Sequence, residues 1–251
     1  VYPHLKESGY YRYKNYSAYI DGFVVQSNNQ KSYLKKFHVE NKKIFVIPTT
    51  TPKEKYNPKN IQLGDKIKIL TVGRFTWEKN YQDNLRFIKR LVDSKLKVEY
   101  TIIGTGTPHE TGKIHYLIDK FNLNGLVTIK DPMENKKLKE EYLKYNYYLL
   151  LSISESGGRS IMEALQRGLV PILSNVGGIP ELADLGEHNI ICDYFDVEEL
   201  FIKFSHVNQN PDIYRNISER GICQIDSKYN SSIEAKNLLM LYEKLLNKKS
   251  R

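Results

Sequence analysis

The sequence predicts an α/β protein built on a doubly wound, parallel, six-stranded Rossmann-like sheet, preceded by a short N-terminal α/β remnant. Three observations predict it. From residue 66 onward, short apolar runs alternate with longer amphipathic runs six times over. The apolar runs are nearly continuous, as strands buried on both faces require. Glycine-bearing loops recur where an apolar run gives way to a helix-like run.

The predicted strands are 66–72 (KIKILTV), 98–104 (VEYTIIG), 126–130 (LVTIK), 147–153 (YYLLLSI), 170–175 (VPILSN) and 189–192 (NIIC). Between and after them lie helix candidates at 78–94, 107–123, 134–146, 159–168, 196–207, 211–222 and 231–248. Thr107 followed by Pro108 reads as an N-cap and first helical position. Gly112 weakens that helix, and Gly168 stops the 159–168 helix. The first 65 residues differ. They predict a helix, a strand at Phe23 to Val25, a helix capped by Ser27 and a strand at Ile44 to Ile47, then a polar, proline-bearing stretch that reads as a linker. The expected division is 1–47, a linker over 48–65, and a main domain over 66–251. The chain opens at Val1 inside a Tyr/Lys-rich run, which suggests a fragment or a trimmed chain.

Composition narrows the function classes. The formal charge of +9 suits anionic partners such as nucleotides and phosphates. The lysines are spread along amphipathic runs, and no basic stripe with exposed aromatics or known reader motif marks a nucleic-acid binder. Cys192 and Cys223 form no CxxC pair, so neither a zinc site nor a disulfide framework is indicated, and a reducing cytoplasm fits. No apolar run reaches the roughly 18 residues of a membrane span.

In doubly wound sheets, ligands sit at the carboxyl ends of the strands, where loops enter helix N-termini. After the first strand of the set comes GRFTWEKN. Gly73 permits a close approach, and Arg74 with Lys79 can cradle a pyrophosphate, although a surface arginine and a Glu78-paired lysine explain the same residues. After the second comes GTGTP, which lacks the third glycine of a dinucleotide fingerprint, because His109 stands there. After the third, Lys130 is a candidate for a nucleobase edge. After the fourth comes SESGGRSIMEA, residues 154 to 164. Gly157 and Gly158 free the following amides to form an anion nest, while Glu155 can accept bonds from sugar hydroxyls. Ser160 and Glu163 fit the S-x-x-E capping box, the alternative to a ribose-binding role for Glu163. After the fifth comes SNVGGIPELA, again a glycine loop into a helix.

Together, VGRFTWEKN, GTG and SESGGRSIMEALQRGLVPILSNVGGIPEL resemble the donor-binding half of a family 4 (group 1) retaining glycosyltransferase of GT-B architecture. The family's E-x7-E pattern falls on Glu155 and Glu163, and the resemblance runs from about residue 20 to 225. It implies that Arg74 and Lys79 neutralise the donor diphosphate as it leaves, and that Glu155 contacts the donor sugar. The backbone around Gly73, Gly157 and Gly158 would contact sugar or phosphate. The first-turn amides of Arg159, Ser160 and Ile161 would meet phosphate, and Glu163 would hold ribose. The resemblance implies no metal and no cofactor beyond the donor substrate, a UDP-, GDP- or ADP-sugar, and no DxD occurs. Cations would take a metal's place beside the leaving group. It further implies a glycan or glycolipid acceptor, polysaccharide or glycolipid assembly, and a cytoplasmic site that can include peripheral contact with the inner membrane face. Two departures stand out. The loop reads Glu155-Ser156-Gly157-Gly158 where E-G-F-G is usual, and Asn80 follows Lys79 where glycine is common.

Residues 1 to 47 resemble only the tail of the family's N-terminal acceptor domain, so the expected activity needs that domain or a partner chain. The alternatives are a nucleotide-sugar-binding subunit completed by a partner and, ranked lower because it lacks the E-x7-E pattern, a GT-B sugar-nucleotide epimerase.

Overall fold

A computed structural model of the chain describes residues 17–52, 65–193 and 196–249. The helix expected before Phe23 and the linker core at 53–64 lie outside those residues. The remnant contains β1 (Phe23–Val25), α1 (Asn28–Lys36) and β2 (Ile44–Val46), with β1 and β2 parallel. Ser27 caps α1, accepting from the Gln30 amide.

The main domain runs β3 (Ile67–Val72), α2 (Tyr81–Asp93), β4 (Val98–Ile103), α3 (Pro108–Lys120), β5 (Val127–Lys130), α4 (Asn135–Tyr142), β6 (Tyr147–Leu150), α5 (Arg159–Gln166), β7 (Val170–Ser174), α6 (Ile179–Leu182) and β8 (Ile190–Cys192). It closes with α7 (Val197–Asn208), α8 (Pro211–Lys228) and α9 (Ser231–Lys249). All six strands are parallel, in the order β5-β4-β3-β6-β7-β8. This is the doubly wound sheet the sequence predicts. Every residue of β6 and β7 is buried, which explains their continuous apolarity.

Tyrosines fill much of the core, each with its hydroxyl satisfied. Tyr147 bonds Asn208 Oδ1 at 3.0 Å, Tyr214 donates to the Asn146 carbonyl at 2.9 Å, and Tyr100 meets Thr71 Oγ1 at 2.8 Å. A buried phenol is stable only on such terms.

Three elements differ from expectation. The 78–94 helix is broken: Trp77–Lys79 form a 3-10 turn, Asn80 takes φ +48°, and α2 starts at Tyr81. Strand β6 stops at Leu150, because the Leu151 amide turns away to Asn84 Oδ1. Helix α8 continues past Gly221 to Lys228, and a Cβ on Gly221 would stand 2.9 Å from Leu165 on α5. That glycine marks a close helix contact. Thr107 caps α3 as predicted and completes a capping box with Glu110.

At the edge of the sheet, Lys130 at the end of β5 pairs with Glu141 of α4 at 2.6 Å. Lys144 Nζ at 2.7 Å and the Tyr145 hydroxyl at 3.0 Å join the same carboxylate. Burial would raise the Glu141 value, but these three donors outweigh it and hold the carboxyl at about 2.

Gly112 sits in α3 with open space where a Cβ would go, so Gly112→Ala should raise unfolding free energy by about 0.5–1 kcal/mol. Gly177 has φ +57°, and its Cβ would lie 1.9 Å from the Glu155 carbonyl, so Gly177→Ala should cost roughly 2–3 kcal/mol. Urea titrations of both variants against wild type read the opposite signs. The folded value of Glu141 lies below its ordinary 4.5, so its contribution is whole above that pH and is lost as pH falls toward 2. Glu141→Gln should therefore flatten the fall of the melting temperature across that window.

Candidate functional site

Strands β3 and β6 are neighbours whose following segments leave in opposite directions along the sheet, so a crevice opens between their carboxyl ends. The loops after β3, β6 and β7 meet there. Lys79 ends the 3-10 turn, and the Ile153 amide donates to the Glu78 carbonyl at 2.8 Å, stitching the β6 loop to that turn. Across this seam Lys79 Nζ donates to Glu155 Oε2 at 2.5 Å. The two side chains are only 19% and 11% exposed, so the pair is weakly screened. The other oxygen of Glu155 accepts from the Gly158 amide at 3.3 Å.

Gly158, at φ +58°, is the N-cap of α5. This overturns the capping box expected from Ser160 and Glu163. Ser160 is already inside the helix, and no side chain caps it. Its hydroxyl instead meets the buried Tyr148 hydroxyl at 2.7 Å, and Glu163 Oε2 accepts from Tyr142 at 3.1 Å. The helix starts two residues earlier than a Ser160 cap would place it, because the left-handed Gly158 has already turned the chain. The first α5 bond of this kind runs from the Met162 amide to the Gly158 carbonyl at 2.9 Å, so the amides of Arg159, Ser160 and Ile161 precede it at the helix end. The Arg159 side chain is exposed, and that of Ile161 is buried.

Arg74 is exposed beside this crevice. Its loop is pinned by the Tyr81 hydroxyl, 3.1 Å from the Gly73 carbonyl and 3.3 Å from that of Arg74. The GTG glycines serve packing. A Cβ on Gly104 would lie 1.9 Å from the Gly73 carbonyl, and one on Gly106 would lie 2.6 Å from Phe75. Lys130 is not part of the Lys79–Glu155 contact, since its ammonium is engaged by Glu141.

The remnant also reaches the crevice. A Cβ on Gly157 would stand 2.6 Å from Gln26 Oε1 and 2.9 Å from Thr49 Oγ1. Glu181, from the GGIPE loop, accepts from the Asn28 and Asn29 amides at 3.0 and 3.1 Å and from Asn28 Nδ2 at 2.9 Å. Gln26 and Thr49 carry no motif of their own. Their one legible signal is position, just past the ends of two short parallel strands. Tyr148 carries no signal, because a tyrosine in an apolar run reads as core, and Tyr142 reads as one more residue of the amphipathic 134–146 run.

Comparison with known proteins places this geometry. The family model described as glycosyl transferases group 1 matches residues 52–223. Protein CapJ of Staphylococcus aureus is 25% identical over 228 residues, 86% of this chain and 55% of CapJ. Among solved structures, sucrose-phosphate synthase from Thermosynechococcus elongatus superposes with a TM-score of 0.80 at 20% identity, covering 92% of this chain and 60% of that one. Anabaena HepE, solved in complex with UDP and glucose, gives 0.82 at 14% identity, covering 96% of this chain and 68% of that one. The chain spans about half the length of the curated relatives it matches. The sheet order, the crevice at its switch point and the matched span together make this chain a member of the group 1 glycosyl transferase family, with a GT-B fold.

Proposed function

We propose that this chain carries the donor half of an enzyme that moves a sugar from a nucleoside diphosphate sugar to a glycan or glycolipid acceptor, with retention at the anomeric carbon. The observation that carries the reading is the meeting of Lys79, Glu155 and the amide end of α5 at one crevice. A diphosphate placed there would lie against first-turn amides and a cation, the two features an anion site needs. Arg74 adds a second cation from the same loop. As the bond from the anomeric carbon to the diphosphate oxygen breaks, charge grows on that oxygen, and fixed cations and amides stabilise it without reorganising. Glu155 would accept from the donor sugar's hydroxyls beside Gly157 and Gly158, Glu163 would take ribose, and Lys130 would stand at the rim of the base site. HepE, solved with UDP and glucose, supports this class of donor. Retention rests on the resemblance to family 4.

The domain reading follows the same lines. Residues 66–251 form the donor domain, 48–65 link it, and 1–47 end an acceptor-side domain supplied by more of this chain or by a partner. No helix among the described residues is long and apolar enough to cross a membrane. The proposed place of work is the cytoplasmic side, at or near the membrane.

Calorimetric titration with UDP, GDP and ADP tests the donor site directly. At least one should bind, and silence from all three would sink the reading. Lys79→Ala should weaken the binder by about 10- to 100-fold, the worth of a charge-assisted hydrogen bond. Glu155→Gln should behave differently. The carboxylate competes with the diphosphate for Lys79, so its removal should leave nucleotide affinity equal or higher. Sugar transfer by the completed enzyme should fall by at least 100-fold.

A further inference from the structure

Tyr142 closes α4 and is fully buried, yet its hydroxyl reaches the first turns of α5. It donates to Glu163 Oε2 at 3.1 Å and stands 3.3 Å from the Ser160 carbonyl. A phenol has one proton, and the nearer, charged acceptor takes the larger share of it. Burial, with the carboxylate of Glu163 beside it, pushes the phenol far above its ordinary value, so the hydroxyl stays a donor. Tyr148 lies beside it, with ring centroids 6.2 Å apart, and its hydroxyl meets Ser160 Oγ at 2.7 Å. Two buried phenols thus hold the two polar side chains, Ser160 and Glu163, that a capping box would have tied to each other.

We propose that Tyr142 is a positioning residue for the donor's ribose. By engaging Oε2 it fixes the rotamer of Glu163 and leaves Oε1 to accept from the ribose hydroxyls. The inference rests on the reading of Glu163 as the ribose ligand. A free glutamate side chain must give up several rotamers when it binds, and a bond made during folding removes that loss from the binding step. The chemistry recognised is a vicinal diol, so the consequence is selectivity for a ribonucleotide over its deoxy forms. It sits on a residue that touches neither the diphosphate nor the sugar.

The test uses whichever of UDP, GDP and ADP binds the wild-type protein, together with its 2′,3′-dideoxy analogue. Tyr142→Phe should weaken the ribonucleotide by roughly three- to tenfold, the worth of one immobilised side chain. It should leave the dideoxy affinity unchanged. Glu163→Ala should show the same selectivity, and the double variant should be no weaker than Glu163→Ala alone. Tyr147→Phe, which removes another buried hydroxyl bonded to Asn208, serves as the control and should change neither affinity. A Tyr142→Phe protein that loses both nucleotides equally would overturn the proposal, since general loosening explains that result. So would one that keeps full ribonucleotide affinity while Glu163→Ala loses it, and in that case the ribose role of Glu163 stands. A silent Glu163→Ala would remove the ribose reading and the inference with it, as would failure of all three nucleotides to bind.

Discussion

The Lys79–Glu155 ion pair joins the two sides of the sheet's switch point. Lys79 follows β3 and Glu155 follows β6, and the segments after these neighbouring strands run to opposite ends of the sheet. Without a bond across it, the crevice would hold an ammonium and a carboxylate, each partly desolvated and each costly. Paired, they neutralise one another, and the Ile153–Glu78 backbone bond holds their loops in register. The consequence for ligand binding is exchange rather than addition. In the proposed donor site a diphosphate would take over the lysine while the carboxylate would turn to hydroxyl donors.

The pair can form only because backbones approach closely around it. The Glu155 carbonyl lies 1.9 Å from where a Cβ on Gly177 would be, and the Gly73 carbonyl lies equally close to that of Gly104. Each contact joins two strand-end loops with no side chain between them. The glycines that look like ligand-cradling residues therefore divide. Gly158 turns the chain into α5 and frees its amides, while Gly104, Gly106 and Gly177 let one loop lie on the next. In the proposed site only the first kind would face a ligand directly. The second kind sets the distance between ligand-facing groups, and an ångström gained there would separate Lys79 from Glu155.

Much of this was legible in the sequence, for a physical reason. Strands β6 and β7 are covered on both faces, so their apolarity is unbroken and their positions readable. The cap at Thr107 is local and forms as predicted, and Glu110, three residues on, completes a box that the sequence reading did not name. Where tertiary partners compete, local rules fail. Ser160 satisfies the same box pattern, but Tyr148 lies within reach of its hydroxyl and Gly158 has already capped the helix. Asn80 breaks the helix predicted from 78, and its left-handed turn aims Lys79 at Glu155. The helix expected over 211–222 runs on to Lys228, and Gly221 within it answers a neighbour, Leu165. In each case the deciding contact comes from a distant part of the chain, and periodicity carries no information about it.

The same distinction bears on how the remnant sits over the crevice. Glu181 belongs to the GGIPE loop, where a carboxylate near three strand-end loops invites a ligand role. Its two oxygens are instead taken by the first-turn amides of α1 and by Asn28 Nδ2. A carboxylate at a helix N-terminus is favourable by about 0.3–1 kcal/mol, more when sheltered, and here it ties the N-terminal segment to the main domain. Further bonds lie at the base of the remnant, where the Thr51 amide donates to the Tyr229 carbonyl at 3.0 Å and its carbonyl accepts from Ser231 at 3.1 Å. Against these stands Gln26 Oε1, buried over Gly157 with no hydrogen-bond partner among the described residues. A dry amide oxygen costs about 1–3 kcal/mol, which works against these contacts. The contacts at Thr51 and at α1 thus hold the N-terminal segment against the main domain, and the unsatisfied oxygen of Gln26 beside Gly157 works against them.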